Sequence, residues 1–303
     1  MWRYVAKRVL LAIFTVFIII TITFFVMNAV PGGPFASEKA PSAEVKAVLE
    51  ARFNLDKPLG QQYLLYMKNL LKGDFGVSMK SGRDIGQTLA SRFKVSAALG
   101  GMAAVVAIVF GLIFGSIAAL TRNRWPDRVI IFITTLFVSV PSFVLATILM
   151  LIFCLRLKWF PVWTSGNPSY FLPVIALAMY PMSYITRLTK SSMLDALGQD
   201  YIRTARSKGV RESKIVFKHA LRNALIPVVT YVGPMVAYIL TGSLVVETVF
   251  TIGGLGREFV ASIQERDYSL IMGTTIFLAV LMVIAMLISD LIYKVIDPRI
   301  DFK

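Results

Sequence analysis

Six stretches of this chain contain no charged residue at all: 9–30, 95–120, 129–155, 171–185, 224–246 and 269–289. A soluble domain does not carry such runs, because an apolar segment of that length has no wet face to offer. A helix needs about 20 apolar residues to cross the hydrocarbon of a bilayer. The six stretches are therefore read as six transmembrane helices of an all-α polytopic membrane protein. No barrel-type alternation appears, so each span must satisfy its backbone hydrogen bonds internally. The 171–185 stretch is the shortest. It can be extended backwards, since 159–186 is also uncharged, although Pro161, Gly166, Pro168 and Pro173 make the start of that run loop-like. The first stretch follows Arg3, Lys7 and Arg8 like a secretion signal, but it exceeds a signal's apolar length and no small-x-small cleavage site follows it. An uncleaved first helix is expected.

Lys and Arg set the orientation, because positive charge is retained on the cytoplasmic side. With the N-terminus inside, the cytoplasmic segments hold 18 of the 32 Lys and Arg, nine of them within 187–222. Short external loops hold only Arg156, Lys158, Arg257 and Arg266, and the other ten fall within 31–94, a stretch long enough to be exported regardless of charge. Both termini are therefore expected in the cytoplasm. The net charge of +15 follows from this topology, and no basic stripe with interleaved aromatics points to nucleic acid. The single cysteine, Cys154, falls inside the third span and can close no internal disulfide.

These boundaries give three parts: 1–30, the N-terminus and first helix; 31–94, an external helical insert; and 95–303, a five-helix core with a cytoplasmic loop at 187–223. In the insert Ser42 can cap a helix carrying Val45, Val48, Leu49 and Phe53. A second helix places Tyr63, Tyr66, Met67, Leu70 and Leu71 at helical spacing before Gly73, Gly76 and Gly82 break the chain. Such an insert either meets something outside or caps the bundle at the membrane surface.

Within the spans, Ala103, Ala107, Gly111, Gly115 and Ala119 recur every four residues, a smooth stripe for close helix approach within the bundle or against a second subunit. Pro141, Pro173, Pro181 and Pro234 interrupt other spans, as in pathways that open alternately and in static bundles alike. No charge sits mid-span; Glu247 and Asp290 fall at span ends and read as interfacial, which argues against proton- or sodium-coupled transport. Enzymatic constellations are missing as well. His219 is the only histidine, no zinc or G-x-S-x-G motif occurs, and no G-x-x-x-x-G-K-[ST] loop is present to cradle ATP.

The most informative segment lies between the fourth and fifth spans, at 200–227. Met193, Leu197, Tyr201 and Ala205 fall four apart on one helical face, and Gly209 supplies a left-handed turn to end it. A second helix then places Phe217, Leu221 and Leu225 together as it enters the fifth span. A helix lying across the surface and continued into spans on both sides can act as a lever; alternatively it is a basic helix resting on anionic headgroups.

These residues resemble the coupling loop of membrane subunits in ATP-binding-cassette importers of the peptide and nickel permease subfamily. The general Glu-Ala-Ala motif with a glycine four positions on matches in part: Ala205 and Gly209 fit, while Arg203 and Thr204 stand where the glutamate and first alanine would be. The segment reads RTARSKG followed by KHALRNALIPV, as in the peptide-type version. WRYVAKRVL, NAVPGGPF, KGDFGVS, SVPSF, ETVFTIGGLGREFVASIQERDY and DLIYKVIDPRID extend the resemblance to essentially the whole chain.

The resemblance implies a type I ABC importer membrane-subunit fold and the first of two permease subunits. The implied partners are a second homologous membrane subunit, two cytoplasmic ATPase subunits that bind ATP and Mg, and an external substrate-binding protein, all at the lipid bilayer of a bacterial plasma (inner) membrane. It implies no catalytic residue and no cofactor in this chain. Asp200, Tyr201, Arg203, Thr204, Ala205, Arg206 and Gly209 become an ATPase-docking element, with Arg203 and Arg206 meeting acidic groups and Tyr201 and Ala205 packing in the ATPase cleft. The expected cargo is oligopeptides, with dipeptide, glutathione or nickel import as alternatives within the family. A secondary carrier working without ATPase and a membrane-embedded enzyme are the alternatives outside it. No pathway residue is assigned from the sequence.

Overall fold

The computed structural model describes residues 2–35 and 42–296. Lys39, Arg299, Lys303 and the DPRID ending fall outside the described residues, as do the side chains of Arg3 and Lys294. The described chain is helical, with α1 at Trp2–Ala29, α2 at Ala43–Arg52, α3 at Leu59–Leu70, α4 at Ile85–Leu120 and α5 at Trp125–Ser139. Helix α6, Ser142–Leu149, continues in wider π turns to Arg156, and α7 spans Phe171–Leu197. Then come α8 at Asp200–Ser207, α9 at Glu212–Lys214 with π turns over Ile215–Ala220, and α10 at Leu221–Leu240. Helices α11, α12 and α13 cover Leu244–Val249, Leu255–Gln264 and Tyr268–Ile296.

Five of these segments are long and apolar enough to cross a bilayer, and α5 with α6 forms a sixth only as a bent pair, turned by 103° at the break. The third stretch is therefore not one straight helix. Pro141 carries no N–H to donate and pushes Val140 into extended backbone, at ψ 125°, so the ladder stops there and restarts with Pro141 as the cap.

The fourth span lengthens forwards rather than backwards. Residues 159–169 stay non-helical around Pro161, Gly166 and Pro168, while Pro173 sits in the first turn of α7, where its missing N–H costs nothing. At its far end α7 runs through two cations. Lys190 is tied to the buried Asp127 of α5 at 2.5 Å, and Arg187 donates to Thr135 Oγ1 at 2.9 Å. The fifth span lies within the apolar stretch 212–249, but its helix α10 stops at Leu240. Gly242 turns the chain at φ +94°, and Ser243 caps the separate α11 by accepting from the Val246 N–H.

The chain forms two compact units. The first comprises Met1–Val95 and Gly253–Val283. Here Ile20 and Phe24 of α1 pack with Met272 and Ile276 of α13, and Tyr63, Tyr66, Met67 and Leu70 of α3 close over them. Ile85 and Leu89 pack with Leu255 and Leu270. Asp267, fully buried just before α13, accepts from Ser78 Oγ at 2.5 Å and from the Met79 and Leu270 N–H groups at 3.1 Å, which fastens the turn after α3 to a helix start. Ser42 caps α2 as expected, but Val45 and Val48 point outward.

The second unit comprises Ser96–Ile252 and Ile284–Lys303. The small-residue stripe of α4 faces inward in this unit. A Cβ on Gly111 would meet Ile185 Cγ2 at 2.6 Å, and one on Gly115 would meet the Thr186 carbonyl oxygen at 2.6 Å, so the two backbones approach as only glycine permits. Glu247 is fully buried rather than interfacial, and Ser96 donates to it at 2.7 Å. Buried Ser183 and Thr186 each return their hydroxyl to the carbonyl one turn back, while Phe132 faces out. With their hydroxyls satisfied inside their own helix, these polar groups can lie in the interior of a segment whose outer face meets lipid.

Candidate functional site

The segment that the sequence singles out folds as a short helix held between two long ones. Helix α7 stops at Leu197, and after Gly198 and Gln199 the chain restarts as α8. Met193 and Leu197 thus belong to a different helix from Tyr201 and Ala205, and the four-residue spacing across 193–205 does not describe one continuous face. The residue that anchors α8 is Ile202. It is fully buried in a cluster with Ala196, Ile215 and Ala220, edged by Leu197, Ala205 and Val210. Nothing in the spacing of neighbouring apolar residues marked Ile202, because its partners lie across two turns of chain, at 196 and at 215–220.

The end of α8 is set by backbone geometry. Gly209 sits at φ +73°, its N–H bonds the Arg206 carbonyl at 2.9 Å, and the Val210 N–H reaches back to the Ala205 carbonyl at 3.1 Å. This six-to-one closure is a Schellman motif, and the contact of Val210 with the Ala205 cluster completes it. Beyond it, π turns over Ile215–Ala220 rotate the next helix. The buried face is accordingly Ala220, Ala224 and Val228, while Phe217 is 70% exposed. Small residues at 220 and 224 are what let this segment lie close to α7.

With Ile202 inward, the outer face of α8 carries Asp200, Tyr201, Arg203 and Thr204. The side chains of Asp200 and Arg203 are 94% and 77% exposed, 3.5 Å apart, a separation at which an exposed pair holds little energy. Tyr201 is partly exposed, and its hydroxyl accepts from Asn223 Nδ2 of α10 at 2.9 Å. Thr204 Oγ1 returns to the Asp200 carbonyl at 3.1 Å. Two expected contact residues are already engaged within the chain. Ala205 packs against its own cluster, and Arg206 Nε donates to Glu212 Oε1 at 2.8 Å, which raises the guanidinium above its ordinary range and ties α8 to α9. The structure therefore brings Asp200, Tyr201, Arg203 and Thr204 to one accessible surface, and uses Ala205, Arg206 and Gly209 to hold that surface in place.

The family described as "Binding-protein-dependent transport system inner membrane component" matches residues 111–302, which include this whole segment, and the corresponding N-terminal family matches residues 1–100. The chain belongs to this family. It is an integral inner membrane protein of the binding-protein-dependent kind. Among its relatives are the dipeptide transport system permease protein DppB of Bacillus subtilis, 47% identical over 99% of this chain and 98% of that one, and the oligopeptide transport system permease protein OppB of Haemophilus influenzae, 44% identical over the full length of both. The OppB of Escherichia coli K12 is 40% identical, again over the full length of both. Among solved structures, a chain of the MetNI methionine ABC transporter in an inward-facing conformation superposes with a TM-score of 0.57. At 18% identity, over 70% of this chain and 97% of that one, this likeness establishes the fold, that of an ABC importer membrane subunit.

Proposed function

We propose that this chain is the permease subunit of an ATP-driven peptide importer, forming half of the pathway and transmitting ATPase motion through α8. The observation that carries the docking role is the division of α8 into two faces. A fully buried Ile202 fixes the helix to α7 and to the π turns ahead of α10, while Asp200, Tyr201, Arg203 and Thr204 face outward, exposed to a partner. Because α8 is joined at both ends to long apolar helices, a push on its outer face is delivered to the spans rather than lost in a loose loop. Peptides are the cargo on the strength of relatives that carry dipeptides and oligopeptides in their names. Two ATPase subunits would supply ATP and Mg, a second membrane subunit the other half of the pathway, and an external binding protein the substrate. This chain would itself be non-catalytic, with both termini and α8 in the cytoplasm.

Reconstitution tests the proposal. In proteoliposomes the chain alone should move no peptide, and the complete complex should do so only with ATP. Arg203→Glu should cut ATPase co-purification severalfold while leaving the membrane level of the chain unchanged. Peptide movement by the chain alone would make it a secondary carrier, and undiminished co-purification would remove α8 from the docking surface.

A further inference from the structure

Where α5 breaks into α6, the second unit holds an open cavity of about 690 Å³, within the ~300–1,000 Å³ typical of ligand sites. It is lined by the break itself, Val140, Pro141 and Ser142, and by Tyr180 of α7 with Tyr231 and Tyr238 of α10. Tyr184 stands one turn from Tyr180 and packs its ring on that of Tyr231, centroids 4.2 Å apart. None of the lining residues is charged.

The depth of Tyr180 and Tyr231 is what needs explaining; Tyr238 stands near the end of α10, two residues before Leu240. At 1.5 Å per residue, Tyr180 lies roughly 13 Å inside α7 and Tyr231 roughly 15 Å inside α10. Tyrosine in a membrane protein ordinarily sits at the interface, where its hydroxyl reaches water. Here the four phenols have no hydrogen-bond partner among the described residues, and Tyr180 and Tyr238 are 51% and 70% exposed in the isolated chain. Facing hydrocarbon, each hydroxyl would be a stranded polar group. Facing a wet passage, it would be satisfied.

We infer that this cavity is a stretch of the peptide path, with the phenol hydroxyls of Tyr180, Tyr231 and Tyr238 bonding the main chain of the cargo. The inference rests on the proposed peptide function. A phenol both donates and accepts, so it can meet the C=O and the N–H of any peptide. The ring faces offer apolar contact to varied side chains, and the uncharged wall rejects neither sign. Such a lining reads the feature all peptides share and is blind to sequence. The break at Pro141 lies in the lining itself.

The test uses the complete importer in proteoliposomes, with Cys154→Ser as a cysteine-free background in this chain. Tyr180→Cys, Tyr231→Cys and Tyr238→Cys should react with a membrane-impermeant maleimide during ATP turnover, and dialanine or trialanine should slow that reaction at least threefold. Tyr231→Phe and Tyr238→Phe each remove one hydroxyl and should raise KM for these peptides about fivefold, the equivalent of one net hydrogen bond, with kcat and ATPase co-purification little changed. Phe132→Leu, on the outward face of α5, serves as the control and should change neither. Cysteines that stay unlabelled, or Phe variants with wild-type KM, would place the tyrosines outside the path while leaving the importer reading intact. A wild-type complex that moves neither peptide would overturn both.

Discussion

At Gly209 the cost of a side chain lies in the backbone alone. A Cβ there would meet nothing within 4 Å, so no packing clash arises, yet φ is +73°. A β-branched residue is among the least tolerant of that region, and forcing it there costs on the order of 1–3 kcal/mol. The Schellman closure would open, and Val210 would leave the cluster that holds Ile202. Gly209→Val should therefore loosen α8 without disturbing the spans: normal amounts of chain in the membrane, ATP hydrolysis retained, and peptide uptake per ATP reduced severalfold. Gly209→Asn, which tolerates positive φ, should retain most of the uptake. Wild-type coupling in the valine variant would show that the turn does not transmit force.

At the scale of helices, the decisive contact is the approach of α4 to α7. Gly115 faces Thr189 Cβ at 2.5 Å and the Thr186 carbonyl oxygen at 2.6 Å from where its Cβ would stand, and the second of these is backbone that cannot rotate away. Gly115→Leu should force the helices apart and lower the stability of the detergent-solubilised chain by about 1–3 kcal/mol, read as a fall in its thermal midpoint; Gly101→Ala, with open space at its Cβ, should not. The stripe that makes this contact was legible in the sequence because its period matches the helix. So were the first, second and sixth spans, which are long and unbroken, and the glycine that ends α8. The break of the third span was visible only as a proline, since one residue cannot say whether a helix bends or stops. The inward position of Ile202, the burial of Glu247 on Ser96 and the capture of Ser78 by Asp267 were not legible. Each joins residues of different elements, 189 positions apart for Ser78 and Asp267, and a carboxylate at a span end looks the same whether it meets water or a buried hydroxyl.

For the whole molecule, the angle of 103° between α5 and α6 raises a question of topology that the distribution of charge can answer. If the bent pair crosses the membrane once, three crossings separate the segment after α3 from α8, and the two lie on opposite sides. If the pair instead enters and returns, only two crossings intervene and both lie on the same side. The second arrangement would export the nine Lys and Arg of 187–222, a short stretch in which such export is strongly disfavoured. It would also put α8 beyond reach of any cytoplasmic ATPase. Charge thus favours the single crossing, the docking role proposed for α8 needs it, and α6 packs against α7 within it. In a Cys154→Ser background, Lys72→Cys and Ser207→Cys both place a thiol at an exposed position. An impermeant maleimide should label the first only in intact cells or spheroplasts, and the second only in inverted vesicles. Labelling of both from one side would establish the re-entrant arrangement, and α8 could not then be where a cytoplasmic motor takes hold.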